Sequence, residues 1–399
     1  MLFRSCHAQV HIPELVNYGL DTYASNTCMG WFSPRGIMYK GIKAFDGYSA
    51  EDAAIVGSGI GAKLADDYGM WCNYGQIGRD VQYLYESGTF KRVLPAEEYA
   101  SIPWAKLENG DATFLIDFYD RVANKKGELW HIADGAYWFA KRWGLGSDYW
   151  DSKVVKLYSP LGFPVHHSNE AGAQVGGLIS VFMNRDAQNH SHMNFIGNKL
   201  PIGIQKEIAG EIWGSPDALD PPMDYKPMNQ HKAKFIKWSL TRGRLHDSLT
   251  LRNWMWPMAV SPLKERKYRG DTSLEAQFYS AVTGIKKSEK ELDLDSERVF
   301  TLFRALTVRA MNTADMRNEH DQTTAWVTKA DKNKEGKEIP QFTKGTIQME
   351  KADMELGRTM VYKQFGWDEK TGAPTKARLE ALGLAEVAKE LGGKGLLPV

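Results

Sequence analysis

The chain has 399 residues, too long for one ordinary core, so two domains are expected. Its 50 basic and 49 acidic residues leave a net charge of +1 with no basic stripe, which argues against sequence-independent nucleic-acid binding. Three cysteines do not make a disulfide framework, which points to a reducing cytoplasm, and apolar runs such as Gly176 to Met183 fall far short of the ~18 residues of a membrane span.

The first element in chain order is a helix from Ala50. Ser49 is suited to cap it, and Glu51 and Asp52 sit in its first turn, where the helix dipole favours carboxylates. Ile55, Ile60 and Leu64 give it one irregular apolar face, and Gly69 is a fitting stop. Inside it, Gly57-Ser58-Gly59-Ile60-Gly61 lacks the spacing of a dinucleotide loop and has no strand before it, so these glycines are expected to let a neighbour pack close. Asp117 to Ala123 reads as a second helix, and Ala133 to Arg142 as a third ending near Gly144. Tyr158 to Asn169, YSPLGFPVHHSN, is non-helical, and a domain boundary is placed just ahead of it. Pro201 to Tyr225 carries four prolines and reads as loop-rich, and Lys329 to Lys344 as a polar, exposed excursion. Ser296 to Met311 is amphipathic through Val299, Leu302, Phe303, Leu306 and Met311. Pro374 and Thr375 introduce a last helix over Lys376 to Leu382, closed by Gly383. Period-2 runs are few. The expected fold class is mainly α, with two helical domains and long loops, over residues 1–153 and 154–399.

Several constellations could carry chemistry. His166, His167, His190 and His192 crowd a short span, and imidazoles there can ligate a metal, move protons near neutral pH or serve structure alone. No cysteine or acidic residue stands at a recognised ligand spacing beside them. Two acidic turns look alike: Asp66-Asp67-Tyr68-Gly69-Met70 and Asp247-Ser248-Leu249-Thr250-Leu251. Each sets a carboxylate three residues before a small turn residue that an apolar one follows. A carboxylate fixed at a tight turn can accept two N–H bonds from a planar, amidine-like edge, such as a pterin's aminopyrimidine ring. The charge-dense Asp315 to Asp321, DMRNEHD, reads as an ion-paired or solvated turn rather than a catalytic one.

Taken in order, several segments resemble the aldehyde ferredoxin oxidoreductase family, in its longer enterobacterial-type branch. They are DDYGMWCNYGQ from Asp66, KRVLPAEEY from Lys91, PVHHSNEAGAQ from Pro164, NRDAQNHSHMNFIG from Asn184, WMWPMAVSP from Trp254, Arg317 to Asp321, and GWDEKTGAPTKARLEALGL from Gly366. The resemblance runs along essentially the whole chain. It implies the helical middle and C-terminal domains of that family, with the family's N-terminal β-rich domain absent from this sequence. It implies a tungsten- or molybdenum-carrying bis-pterin cofactor, with Asp66, Gly69 and Met70 in one pterin-binding turn and Asp247, Thr250 and Leu251 in the other. The implied reaction oxidises a small aldehyde to a carboxylic acid and passes electrons through a 4Fe-4S cluster to ferredoxin or a similar carrier. The family's proton-handling histidine falls in the stretch holding His190 and His192, and the resemblance does not choose between them.

The departures concern the cluster. Cys6 fits the third cysteine of the family's C-x-x-C-x-x-x-C motif, but Leu2 stands at the second position and Arg252 where the fourth, distant cysteine closes the second turn. Neither leucine nor arginine can replace a thiolate. Two readings stay open: part of an aldehyde-oxidising enzyme, or a non-catalytic fragment or subunit that needs a partner chain carrying the missing domain.

Overall fold

A computed structural model describes residues 8–26, 50–70, 81, 83–146, 149, 173–182, 200–219, 227–251, 258–323, 330–332, 338–340 and 351–398. The fold is mainly helical, and its chain divides into two compact units, residues 1–157 and 158–399. No helix among the described residues is long and apolar enough to cross a membrane.

The first unit opens with an antiparallel ribbon of β1 (Ala8–His11) and β2 (Tyr23–Asn26), Ala8 paired with Asn26 and His11 with Tyr23. Helix α1 (Ala50–Asp67) buries Val56, Ile60 and Leu64. Its central glycines do serve close packing. A Cβ on Gly57 would lie 3.1 Å from that of Ala112, and one on Gly59 only 2.6 Å from Ile12 Cδ1. Ser49, the expected cap, lies outside the described residues. Helix α2 (Phe114–Ala123) begins three residues earlier than Asp117 and turns Phe114, Leu115, Phe118, Tyr119 and Val122 inward. These rings continue through Trp104, Phe90 and Trp143 in contacts of 5.3 to 6.1 Å, the offset and edge-on spacings that aromatic rings prefer. The helix expected over Ala133 to Arg142 is two elements, a 3-10 helix at Leu129–Asp134 and α3 (Ala136–Arg142). Gly135 separates them at φ +94°, a conformation no helix contains.

The second unit is built on α4 (Ala173–Phe182), α5 (Ile202–Trp213), α6 (Gln230–Leu249), α7 (Leu274–Thr283), α8 (Glu289–Met311), the short α9 (Met316–Glu319) and α10 (Lys351–Phe365). Helices α6 and α8 run antiparallel, since Arg242 meets Asp293 while Lys237 meets Glu297. Val175, Ile179, Phe235, Ile236, Leu240, Phe300, Val361 and Phe365 form the main core between these helices. A smaller core joins α8 to α11 (Lys376–Ala381) and α12 (Ala385–Gly393) through Val308, Leu379, Leu382 and Leu391.

Two expectations are corrected here. Pro201 does not open a loop: it is the N-cap of α5, a position that needs no amide hydrogen. Helix α8 starts seven residues before Ser296, because Ser288 and Glu291 cap its first turn reciprocally. The polar excursion after Lys329 pairs as an antiparallel ribbon of β5 (Ala330–Lys332) with β6 (Glu338–Pro340); a further ribbon joins β3 (Met258–Val260) to β4 (Arg269–Asp271).

Candidate functional site

The two acidic turns are helix ends of the same kind. In the first unit α1 stops at Asp67 and Gly69 enters the left-handed region at φ +63°. The amide of Met70 then donates to Ala65 O at 2.8 Å, closing the turn over five residues. In the second unit α6 stops at Leu249, Thr250 takes φ +57°, and the amide of Leu251 donates to His246 O at 2.9 Å. The residue counts match: the carboxylates of Asp66 and Asp247 each stand three positions before the left-handed residue and are exposed. Met70 and Leu251 are half-buried behind them.

The turns differ in what holds them. Gly69 adopts a positive φ freely, but threonine is β-branched, and its Cβ crowds the following carbonyl there at a cost of roughly 1–2 kcal/mol. Thr250→Gly is therefore expected to stabilise the second unit by about 1 kcal/mol, after glycine's greater chain entropy is deducted. An upward shift of a few degrees in the unfolding midpoint is the expected reading; a downward shift would show that the threonine side chain makes a compensating contact.

Behind the second turn lies a buried polar network. Arg242 is 1% exposed, and its guanidinium donates to Asp293 Oδ1 at 2.5 Å, Glu289 Oε1 at 2.8 Å, Thr272 O at 2.9 Å and Glu275 Oε1 at 3.1 Å. His246, one helical turn further along α6, donates from Nε2 to the same Glu275 oxygen at 3.0 Å. Burial pushes the Asp293 carboxyl up, against the opposing pull of Arg242. Arg242 itself stays firmly protonated, because its carboxylate neighbours outweigh the desolvation that opposes the charge. Sequence reasoning missed this network. The Arg242 and His246 spacing was readable as one helix face, but its partners on α7 and α8 were not.

A second buried network surrounds the end of DMRNEHD, which is indeed ion-paired. Arg304 on α8 grips Asp321 with two nitrogens, and Asp321 also accepts from His320 Nδ1 at 2.8 Å and Tyr362 Oη at 2.7 Å. Desolvation raises the Asp321 carboxyl, but Arg304 and His320 overcome it and hold the group well below the usual carboxylate range. Arg358 from α10 donates to the backbone carbonyls of Asp321 and Arg317 at 2.5 and 2.9 Å. This arrangement joins α8, α9 and α10.

His190, His192, His166, His167, Cys6, Cys28, Cys72, Leu2 and Arg252 lie outside the described residues. Among the described residues no group of three or more His, Cys, Asp or Glu could hold a metal ion. A 4Fe-4S cluster needs four thiolates, and the chain has three cysteines, so its own residues do not fit that group. The pterin requirement is different. It calls for acceptor-only carboxylates on rigid turns, and Asp66 and Asp247 have that chemistry and exposure.

Comparison with known proteins bears on the whole chain. Its fold is similar to a solved structure, the active site complex BamBC of benzoyl coenzyme A reductase in complex with 1,5 dienoyl-CoA, with a TM-score of 0.55 and 16% identity. The likeness covers 96% of this chain and 52% of that one, so the chain spans about half the length of the structure it matches. At that identity the likeness is one of fold. Residues 55–384 match the family model described as aldehyde ferredoxin oxidoreductase, domains 2 & 3, and the chain belongs to that family.

Proposed function

We propose that this chain supplies the two helical domains of an oxidoreductase that converts aldehydes to carboxylic acids at a tungsten- or molybdenum-carrying bis-pterin. The supporting observation is the pair of matched helix ends. Each ends in a left-handed residue, Gly69 or Thr250, with an exposed carboxylate, Asp66 or Asp247, three positions before it. Each carboxylate can accept two N–H bonds from one pterin's aminopyrimidine edge, and the half-buried Met70 and Leu251 can pack beside the ring. When bound, the metal–pterin group supplies a two-electron redox centre. In the overall change an aldehyde and water give a carboxylic acid, two protons and two electrons. His190 or His192 receives protons near that centre, and ferredoxin or a similar carrier takes the electrons.

The cysteine count favours a qualification of this reading. The three cysteines of this sequence do not complete a 4Fe-4S cluster, so a path for electrons out of the centre needs thiolates beyond these three.

Anaerobic purification of the full chain tests both points. The expected result is pterin with tungsten or molybdenum, fewer than four irons per chain, and a loss of about tenfold in pterin content for Asp66→Ala and Asp247→Ala, which is ~1.4 kcal/mol of binding at each turn. Pterin content unchanged in both variants would remove the two turns from the cofactor, and four irons on the chain alone would contradict the cysteine argument.

A further inference from the structure

Resting on the assignment of Asp247 to a pterin, we infer that His246 is a positioning residue that presents Asp247 to it, held in place by Glu275 and Arg242. His246 acts at both ends. Its backbone carbonyl receives the amides of Thr250 and Leu251 that close the left-handed turn, the second at 2.9 Å. Its ring is wholly buried and fixed to Glu275 on α7 at 3.0 Å, and the neutral or charged imidazole alike must donate from Nε2, since a carboxylate only accepts. The same Glu275 oxygen is held by Arg242, which in turn fixes the loop before α7 through Thr272 O and the first turns of α8 through Glu289 and Asp293. The last two turns of α6 are thus clamped to two other helices from one side.

Holding the helices together does not require this. A patch of well-packed apolar side chains would do so at lower cost than a buried arginine, histidine and glutamate. The cost is visible in Glu275, whose Oε2 is buried without a hydrogen-bond partner among the described residues. The apolar cluster here is small, built on Leu245, Ala276 and Leu292. What the network adds is a fixed orientation for the end of α6. That is what a β-branched residue in the left-handed region needs, because such strain persists only where the surroundings over-determine the backbone. Gly69 in the other turn carries no such strain, being a glycine.

The test uses the full chain and reads two quantities, amide hydrogen exchange at Thr250 and Leu251 and retained pterin. His246→Ala and Glu275→Ala are expected to speed exchange at both amides at least tenfold and to lower pterin content. His246→Gln, which keeps a donor near the Nε2 position, restores both. Thr250→Gly in the His246→Ala background also restores much of the protection, because the strain that the network restrains is gone. A general loss of packing would be rescued by neither change. Should His246→Ala fail to fold, the His246→Gln and Thr250→Gly/Glu275→Ala chains carry the same comparison. Unchanged exchange in the alanine variants overturns the clamp. Faster exchange with full pterin content, while Asp247→Asn loses pterin, overturns positioning and leaves the pterin reading standing. If Asp247→Asn also keeps its pterin, that reading fails.

Discussion

Asp321→Asn is expected to lower the thermal midpoint of the second unit by on the order of 10 °C, the equivalent of the roughly 3–5 kcal/mol lost when one partner of a buried ion pair is removed. Asp321 is fully buried and Arg304 is 2% exposed, so neither charge has water to fall back on. The asparagine keeps the shape but not the charge. It leaves Arg304 uncompensated in the interior and turns an amide N–H toward a guanidinium that also only donates. Arg304→Met combined with Asp321→Leu should recover most of the loss, because an apolar pair is usually no worse than a buried ion pair. A shift below about 2 °C for Asp321→Asn would mean that water reaches the site, contrary to its burial.

The pH dependence of that difference has a definite sign. Arg304 and His320 hold the native Asp321 carboxyl well below its usual range, while in the unfolded chain it titrates near ~4. A depressed native value contributes stability that is fully present above the unfolded value and is lost as pH falls toward the native one. Asp293 runs the other way. Burial raises its carboxyl, so its share of stability falls as pH rises above the unfolded value. Wild type and Asp321→Asn share Asp293, so their difference isolates Asp321. The gap between their midpoints should be constant at neutral pH and should close below about pH 4. A gap that widens on acidification would reverse the assignment.

How much of this was readable beforehand depended on whether the cause was local. The end of α1 at Gly69 and the last helix between Thr375 and Gly383 follow from residues adjacent in sequence, and both stand as expected. The capping box of α8 was equally local: Ser288 and Glu291 are there to be read, and the amphipathic stripe from Ser296 drew the boundary too late. Helix α6 is a different case. Its twenty residues bury Lys232, Ser239, Thr241, Arg242 and His246 among the apolar ones, so no clean period of hydrophobicity marks it. Two of these are met by partners 29 and 51 residues away, Glu275 for His246 and Asp293 for Arg242. The acidic turns were legible as a pattern of spacing. The network behind one of them was not, since it exists only after α7 and α8 have packed.

Gly372→Ala should cost about 3 kcal/mol, and two separate penalties lead there: roughly 1–2 kcal/mol for a side chain at positive φ and roughly 1–3 kcal/mol for overpacking. Gly372 sits at φ +73°, and a Cβ there would meet Tyr362 Cζ at 2.6 Å and Oη at 2.8 Å. The ring cannot swing aside, because its hydroxyl donates to Asp321 at 2.7 Å. The glycine backbone cannot retreat either. Its carbonyl accepts from Arg304 Nε at 3.1 Å and Nη2 at 2.9 Å, and its amide donates to Asp368 O at 2.8 Å. The alanine must therefore strain the same arginine–aspartate pair that Asp321→Asn breaks directly. Tyr362→Phe removes the hydroxyl and frees the ring to tilt, at the cost of one hydrogen bond. The double variant Gly372→Ala/Tyr362→Phe should then lose less than the sum of the two single changes, by about 1 kcal/mol. Strict additivity would show that the methyl is accommodated by the turn at Asp368 to Ala373 instead. In that case the buried pair, and not the glycine, is what sets the position of this loop against α8 and α10.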